Sequence, residues 1–296
     1  MDMTRYVNTF GRYLRAKHGE KVHKISVNAS FTCPNRDGSK GIGGCTFCNN
    51  DSFSPKNTES GDITDQIIAA KQRVSERTKA KKFIAYFQSY SNTYGDPEDL
   101  KRYYDEALSD PDVIGLAVGT RPDCVPDPVL ELLSGYQSQG YEVWLELGLQ
   151  SSFDESLIAI NRGHGFAEYV DAVERARKFG LKICTHLIMG LPGEEPEDTL
   201  KTFDRVIELG VDAIKVHPLH IVKGTQLARQ WKQGQVPELT VEQYTDTLAE
   251  IIRRAPKDLL FHRLTGSGER QYLLAPDWVM NKWDVLGTLY RKLEAA

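Results

Sequence analysis

Short apolar runs alternate with capped helical stretches along most of this chain, and that rhythm restricts the fold more than any other feature. Val22 to Asn28, Phe83 to Gln88, Val113 to Gly119, Val143 to Leu149, Ile183 to Gly190 and Ala213 to Pro218 read as strands, the last five apolar enough to be buried on both faces. Helices are expected between them over 62–78, 97–108, 128–139, 166–179 and 197–209. Asp96-Pro97 and Asp127-Pro128 place an N-cap before a proline at the first helical position, while Gly180 and Gly210 stand where a glycine ends a helix. One strand followed by five helix–strand units makes a parallel sheet with helices outside it, either doubly wound or a barrel. Six strands are too few for a complete eight-stranded barrel. The fold class expected is therefore α/β, a partial (β/α)6 TIM-like barrel with a C-terminal extension.

Domain organisation follows from where the alternation stops. Residues 1–220 form the expected barrel domain, opened by an amphipathic helix over 4–17; residues 221–296 form an extension that packs on the barrel. The extension holds a helix near 241–254, an extra strand at Leu259 to Arg263 and two tryptophans, Trp278 and Trp283.

Composition narrows the class. The 296 residues are 40% hydrophobic and 26% charged, as in a globular enzyme and unlike a disordered or fibrous chain. No apolar run approaches the ~18 residues of a spanning helix, and the polar, basic start lacks the apolar core of a signal peptide, so no membrane contact and a cytoplasmic location are expected. The net charge of −4 is uneven: residues 1–82 carry 15 Lys and Arg against 8 Asp and Glu. Such a basic third suits a polyanion such as RNA, and equally a solvated helix face ending in Lys79, Lys81 and Lys82. Five cysteines, an odd number, argue against a disulfide framework and for a metal or redox role.

Three of those cysteines share one glycine-rich loop after the first strand. Cys33 is followed by eleven residues, then Cys45-Thr-Phe-Cys48, with Gly38, Gly41, Gly43 and Gly44 free to wrap the backbone around something compact. Thiolates so spaced bind zinc or an iron–sulfur cluster. A zinc loop would take Cys124 or a histidine as fourth ligand; a thioredoxin-type redox pair would need no third cysteine.

The loop resembles that of the radical S-adenosylmethionine (SAM) enzymes, and more narrowly a bacterial family related to the catalytic subunit of elongator, in which long spacers before the Cys-x-x-Cys pair are typical. The resemblance implies that Cys33, Cys45 and Cys48 hold three irons of a [4Fe-4S] cluster. The fourth iron is left for the amino and carboxylate groups of SAM. One electron from the cluster then cleaves the sulfonium, and a 5′-deoxyadenosyl radical abstracts hydrogen from substrate. Phe47 would shield the cluster, or serve simply as a core aromatic. An electron donor such as flavodoxin or ferredoxin is implied as a partner.

Polar residues follow the later strands, where ligands of parallel α/β folds bind. Gln88 opens the run Gln88-Ser-Tyr-Ser-Asn-Thr93, at the position where radical SAM enzymes contact the methionine amino group. Gly119-Thr-Arg-Pro-Asp123 resembles a motif of the elongator-like branch; Cys124 after it is a small buried residue, as is mid-strand Cys184. Glu146-Leu-Gly-Leu-Gln150-Ser151 resembles the family's Glu-x-Gly-x-Gln-Ser, which implies that Gln150 and Ser151 face the SAM ribose and methionine. A carboxylate such as Glu146 inside an apolar strand must be paired or ligand-bound, and the motif makes Glu146, like Gln150, an expected cofactor contact. Arg162 is the natural partner of the methionine carboxylate by bidentate pairing, and His164 is a helix cap or a proton donor. Gly190-Leu-Pro192-Gly193 matches a turn whose backbone approaches the adenine. Lys215 and His217 lie two apart on the sixth strand, so both point into the lumen toward substrate as the catalytic candidates.

Relatives in the elongator-like branch modify wobble uridine in transfer RNA. The resemblance therefore implies a radical SAM enzyme whose substrate is a modified wobble uridine of tRNA. A small metabolite or a protein side chain is the alternative substrate, and a zinc-loop binding module without catalysis is the alternative class.

Overall fold

The computed structural model describes residues 2–49, 62–266 and 268–295. Strands β1 (Val22–Val27), β2 (Lys82–Phe87), β3 (Val113–Thr120), β4 (Glu142–Gln150), β5 (Lys182–Met189) and β6 (Ala213–Pro218) pair in chain order, each parallel to the next. Helices α2 (Ile63–Thr78), α3 (Pro97–Leu108), α4 (Asp127–Ser138), α6 (Phe166–Lys178) and α7 (Pro196–Glu208) run between them, and the short α5 (Asp154–Ala159) precedes α6. One of the two expected caps forms: the Asp96 side chain accepts from the Glu98 backbone N–H and proline opens α3, whereas α4 begins at Asp127 itself behind Pro126, with no side-chain cap and the Asp127 carboxylate turned to Arg175. The expected first helix over 4–17 is instead a 3-10 turn at Met3–Arg5 and α1 (Phe10–His18), because the Thr9 side chain caps the Arg12 N–H and starts the helix afresh.

The extension does more than pack on the barrel. After β7 (Ile221–Val222), α8 (Gln226–Lys232) and α9 (Val241–Arg254), strand β8 (Leu260–Arg263) pairs parallel with β6. The extra strand thus makes a seven-stranded sheet, where six strands set the expected barrel. A two-stranded ribbon of β7 with β9 (Leu273–Ala275) and the helix α10 (Lys282–Glu294) complete the chain. Trp278 is half-buried and donates to the Leu239 carbonyl at 2.9 Å, whereas Trp283 is 73% exposed. Among the described residues no helix is long and apolar enough to cross a membrane.

The two faces of the sheet bury different things. The outer face, with Leu145, Leu147, Ile183, Ile214 and Val216, packs against the helices. The concave face is layered, because side chains two apart on a strand point the same way. Its lowest layer is apolar: Ile84, Ala117, Trp144, Cys184, Ala213 and Leu260 pack under Phe10 and Leu14 of α1, which closes the barrel at the strand N-termini. One step up each strand the layer turns polar, with Tyr86, Glu146, His186, Lys215 and His262. Above that layer the strands open into the functional cavity.

Candidate functional site

A cavity of about 240 Å³, open to solvent, sits at the C-terminal ends of the strands. Cys33, Cys45 and Cys48 all line it. Their loop is folded on itself by backbone bonds from Arg36 and Asp37 to the Cys33 carbonyl, at 2.8 and 3.1 Å, and from Cys48 to the Cys45 carbonyl at 3.0 Å. It is also pinned to the segment after α5: the Thr46 N–H donates to Ile160 O at 2.9 Å, and the Asn161 amide donates to Gly44 O at 2.9 Å. Gly44 sits at φ 81°, and a Cβ there would come within 2.8 Å of Arg36 Nε, so that close turn requires glycine. None of the five cysteines, all of them described, is in a disulfide.

Positive charge surrounds the thiols. Arg36 donates to the Cys48 carbonyl at 2.9 Å, and the Arg162 guanidinium reaches Cys45 Sγ at 3.5 Å and Gly148 O at 2.5 Å. Burial and the neighbouring Cys45 push the Cys48 thiol up, while Arg36 pulls it down. The Asn35 amide adds a contact to Cys45 Sγ at 3.7 Å.

Of the residues singled out from the sequence, Gln88, Gln150, Arg162, Lys215 and His217 line the same cavity as the three cysteines. Ser151, Gly190 and Pro192 do not line it. Ser151 is fully buried, accepts from the Phe153 N–H at 3.1 Å and donates its hydroxyl to Glu194. Gly190, at φ 82°, packs against Leu239, where an added Cβ would lie 3.1 Å from Leu239 Cβ. His164 is buried, and burial together with Arg162 and Arg121 depresses its pKa to about 3, so it is neutral.

Glu146, an expected cofactor contact, does not line the cavity and is instead paired within the protein. It is fully buried below the cavity, with Lys24 on one oxygen and, on the other, His186 at 2.7 Å and Lys215 at 3.3 Å; His262 stands 3.3 Å away. Against burial, which would raise it, the charges of Lys215 and Lys24 and the hydrogen bonds of His186 and His262 hold its carboxyl well below the ordinary carboxylate range. Burial depresses Lys215 to about 8, His186 to about 4 and His262 to about 3. At neutral pH the layer therefore holds one carboxylate, two ammonium groups and two neutral imidazoles. Glu146, Cys184 and His186 present ligand atoms close enough for a metal, but the two lysines already occupy the Glu146 carboxylate.

Comparison with known proteins decides what this arrangement belongs to. A family model described as the Radical SAM superfamily matches residues 28–206, and one described as the Radical_SAM C-terminal domain matches 211–295. The chain belongs to the radical SAM superfamily. Protein YhcC of Escherichia coli (strain K12) is 47% identical over 293 residues, spanning 99% of this radical SAM chain and 94% of that protein. A tRNA uridine(34) acetyltransferase of Methanocaldococcus infernus is 28% identical over 148 residues, 49% of this chain and 27% of that one. The structure of the Elp3 protein of that archaeon superposes with a TM-score of 0.67 at 20% identity, covering 93% of this chain and 63% of that chain, which supports the shared fold.

The superfamily implies SAM and a [4Fe-4S] cluster, and the residues present suit both. Three thiols on one wrapped loop leave a four-iron cluster one position short of full protein ligation. Beside them, Gln150 Oε1 and Arg162 Nε are buried without a hydrogen-bond partner, which a ligand in the cavity would supply. Glycine at 148 keeps that spot open: a Cβ there would lie 2.8 Å from Arg162 Nη2 and 3.0 Å from Gln150 Nε2.

The radical SAM site also contains residues that the sequence reading passed over. Tyr86, Arg36 and Arg263 line the cavity beside Arg121 of the Gly119–Asp123 motif, and Lys24 and His262 complete the layer below it. Lys24, Tyr86 and His262 share strand parity with the inward residues of their own strands, so two-residue alternation carried that signal.

Proposed function

We propose that Cys33, Cys45 and Cys48 hold a [4Fe-4S] cluster, that Arg162, Gln150 and Gln88 position SAM beside it, and that the enzyme acts on a modified wobble uridine of tRNA. The observation that carries the proposal is the approach of Arg162 to Cys45 at 3.5 Å within one cavity that Lys215 and His217 also line. A cluster held by Cys33, Cys45 and Cys48 would supply one-electron reductive cleavage of SAM, the chemistry of the cofactor itself, beside the Arg162 and Gln150 that would hold SAM.

The chain's own residues orient and enclose. Arg162 offers a guanidinium fork to the methionine carboxylate, and Gln150 offers an amide whose oxygen has no partner within the protein. Lys215 holds its proton at neutral pH between Tyr86 and Glu146, at the side of the cavity where His217 and His220 stand. A flavodoxin or ferredoxin would deliver the electron.

Support for RNA comes from the tRNA uridine(34) acetyltransferase relative and from the basic first 82 residues. The small-molecule or protein side-chain reading is favoured by one observation. Arg12 donates to the Thr4 carbonyl and Lys17 pairs with Glu142 at the strand N-termini, the end of the barrel away from the cavity. Retention of tRNA that weakens as salt rises supports RNA; no retention, or retention indifferent to salt, supports the second reading. Formation of 5′-deoxyadenosine by reduced, reconstituted protein tests the chemistry common to both.

A further inference from the structure

Arg121 and Asp123 carry no role in the site as described so far, yet both sit where its parts meet. Arg121 is 2% exposed and lines the cavity. Its Nε and Nη2 grip the two oxygens of Asp123 at 2.9 and 3.0 Å, a bidentate pair. Its remaining Nη1 donates to the backbone carbonyl of Arg162 at 2.6 Å. Asp123 in turn accepts from Lys40 at 2.7 Å, and Lys40 lies on the loop between Cys33 and Cys45. One buried pair therefore touches the cysteine loop through a side chain and Arg162 through its main chain.

We propose that the Arg121–Asp123 pair is a positioning element that registers the cysteine loop against Arg162, so that cluster retention and SAM affinity depend on it although neither residue need touch either group. The proposal rests on the assignment of Cys33, Cys45 and Cys48 to the cluster and of Arg162 to SAM. The local packing supports it. Gly163, at φ 72°, follows Arg162, and a Cβ there would lie 3.1 Å from Asn35 Oδ1 of the loop and 3.4 Å from Arg121 Nη2. The three segments are thus in contact, with no space to slide without breaking the Arg121 bonds. Arginine is required because an ammonium cannot grip both Asp123 oxygens and also reach the Arg162 carbonyl.

The test uses the full chain, anaerobically reconstituted, with two readouts besides turnover: the rate of iron loss to a chelator, and SAM binding followed by the change it causes in the spectrum of the reduced cluster. Lys40→Ala, whose side chain is 44% exposed, should lose iron about twofold to fivefold faster, and Lys40→Arg should restore the wild-type rate. Arg121→Lys should take up four irons but bind SAM about tenfold more weakly, because the hydrogen bond that places Arg162 is gone. Iron loss and SAM affinity both unchanged in these variants would overturn the proposal. Should Arg121→Lys fail to fold, Lys40→Ala decides: iron loss at the wild-type rate overturns it. A wild-type protein that takes up no iron, or whose spectrum ignores SAM, would instead overturn the site assignment on which the proposal rests.

Discussion

The Lys215 ammonium donates to the Tyr86 hydroxyl at 2.5 Å and lies over the Tyr86 ring, 4.6 Å from its centre. Both residues line the cavity, so the pair joins a proton held near neutrality to an aromatic surface at the cavity wall. Burial lowers Lys215 to about 8, so the ammonium is present at pH 7 and lost as pH rises through 8. Product formation is accordingly expected to fall above pH 8. Lys215→Met should remove that limb from the pH profile and lower turnover about 100-fold. The profile, measured on both proteins with the same reductant, checks this.

Acid should destabilise the fold from the polar layer. His186 and His262 have folded pKa values of about 4 and about 3, below the ordinary 6.5, so between pH 6.5 and 4 the unfolded chain binds more protons than the folded one. Stability therefore falls as pH drops through that window. Protonation of Glu146, whose folded pKa lies well below its ordinary value of 4.5, adds a loss at still lower pH. Thermal unfolding of the protein between pH 7 and 4.5 should show the decline, and His262→Gln should make it shallower without abolishing it, because His186, His164 and His220 are also depressed, to about 4, 3 and 4.

Phe10 is the plug beneath that layer. Its ring lies 3.8 Å from His262 and 5.2 Å from Trp144, centre to centre, and it is 7% exposed. Phe10→Ala should cost about 3–5 kcal/mol in chemical denaturation. The damage would extend to activity if water entering from below reached Glu146.

Two substitutions separate the cluster from SAM. Arg162→Ala should keep four irons and weaken SAM binding about tenfold or more, because a charged hydrogen-bonding partner is lost. Gly148→Ala should weaken it too, since the new Cβ meets both Arg162 and Gln150. Equilibrium binding of SAM to iron-loaded variants measures both; wild-type affinity in Arg162→Ala would remove that residue from the SAM site.

Much of this was legible in the sequence because strands and capped helices are local. The Asp96-Pro97 cap, the runs ending at Gln88 and Gln150 and the Cys-x-x-Cys pair all depend on neighbours within a few residues. Strand β8 was visible as an apolar run, but its membership of the main sheet depends on pairing with β6 nearly fifty residues earlier, which no local pattern encodes. The ion cluster shows the same limit. The burial of Glu146 demanded a partner, and Lys215 shared its lumen, yet Lys24 and His262 come from opposite edges of the sheet. Ser151 lies beside Gln150 in the motif but faces Glu194, because the two side chains leave the strand end in different directions. The basic first third was legible as charge only; that Arg12 and Lys17 stand at the closed end of the barrel while Arg36 lines the cavity follows from α1 docking under Trp144 and the cysteine loop folding over the strand C-termini.

Three cysteines on one loop are proposed to equip this chain for SAM cleavage. The most direct measurement is the amount of 5′-deoxyadenosine formed from SAM by anaerobically reconstituted, dithionite-reduced protein, wild type beside Cys48→Ala. Product is expected with wild type alone, together with a folded Cys48→Ala protein that no longer holds four irons. No product from a four-iron wild-type protein, or equal product from both, would contradict the proposal.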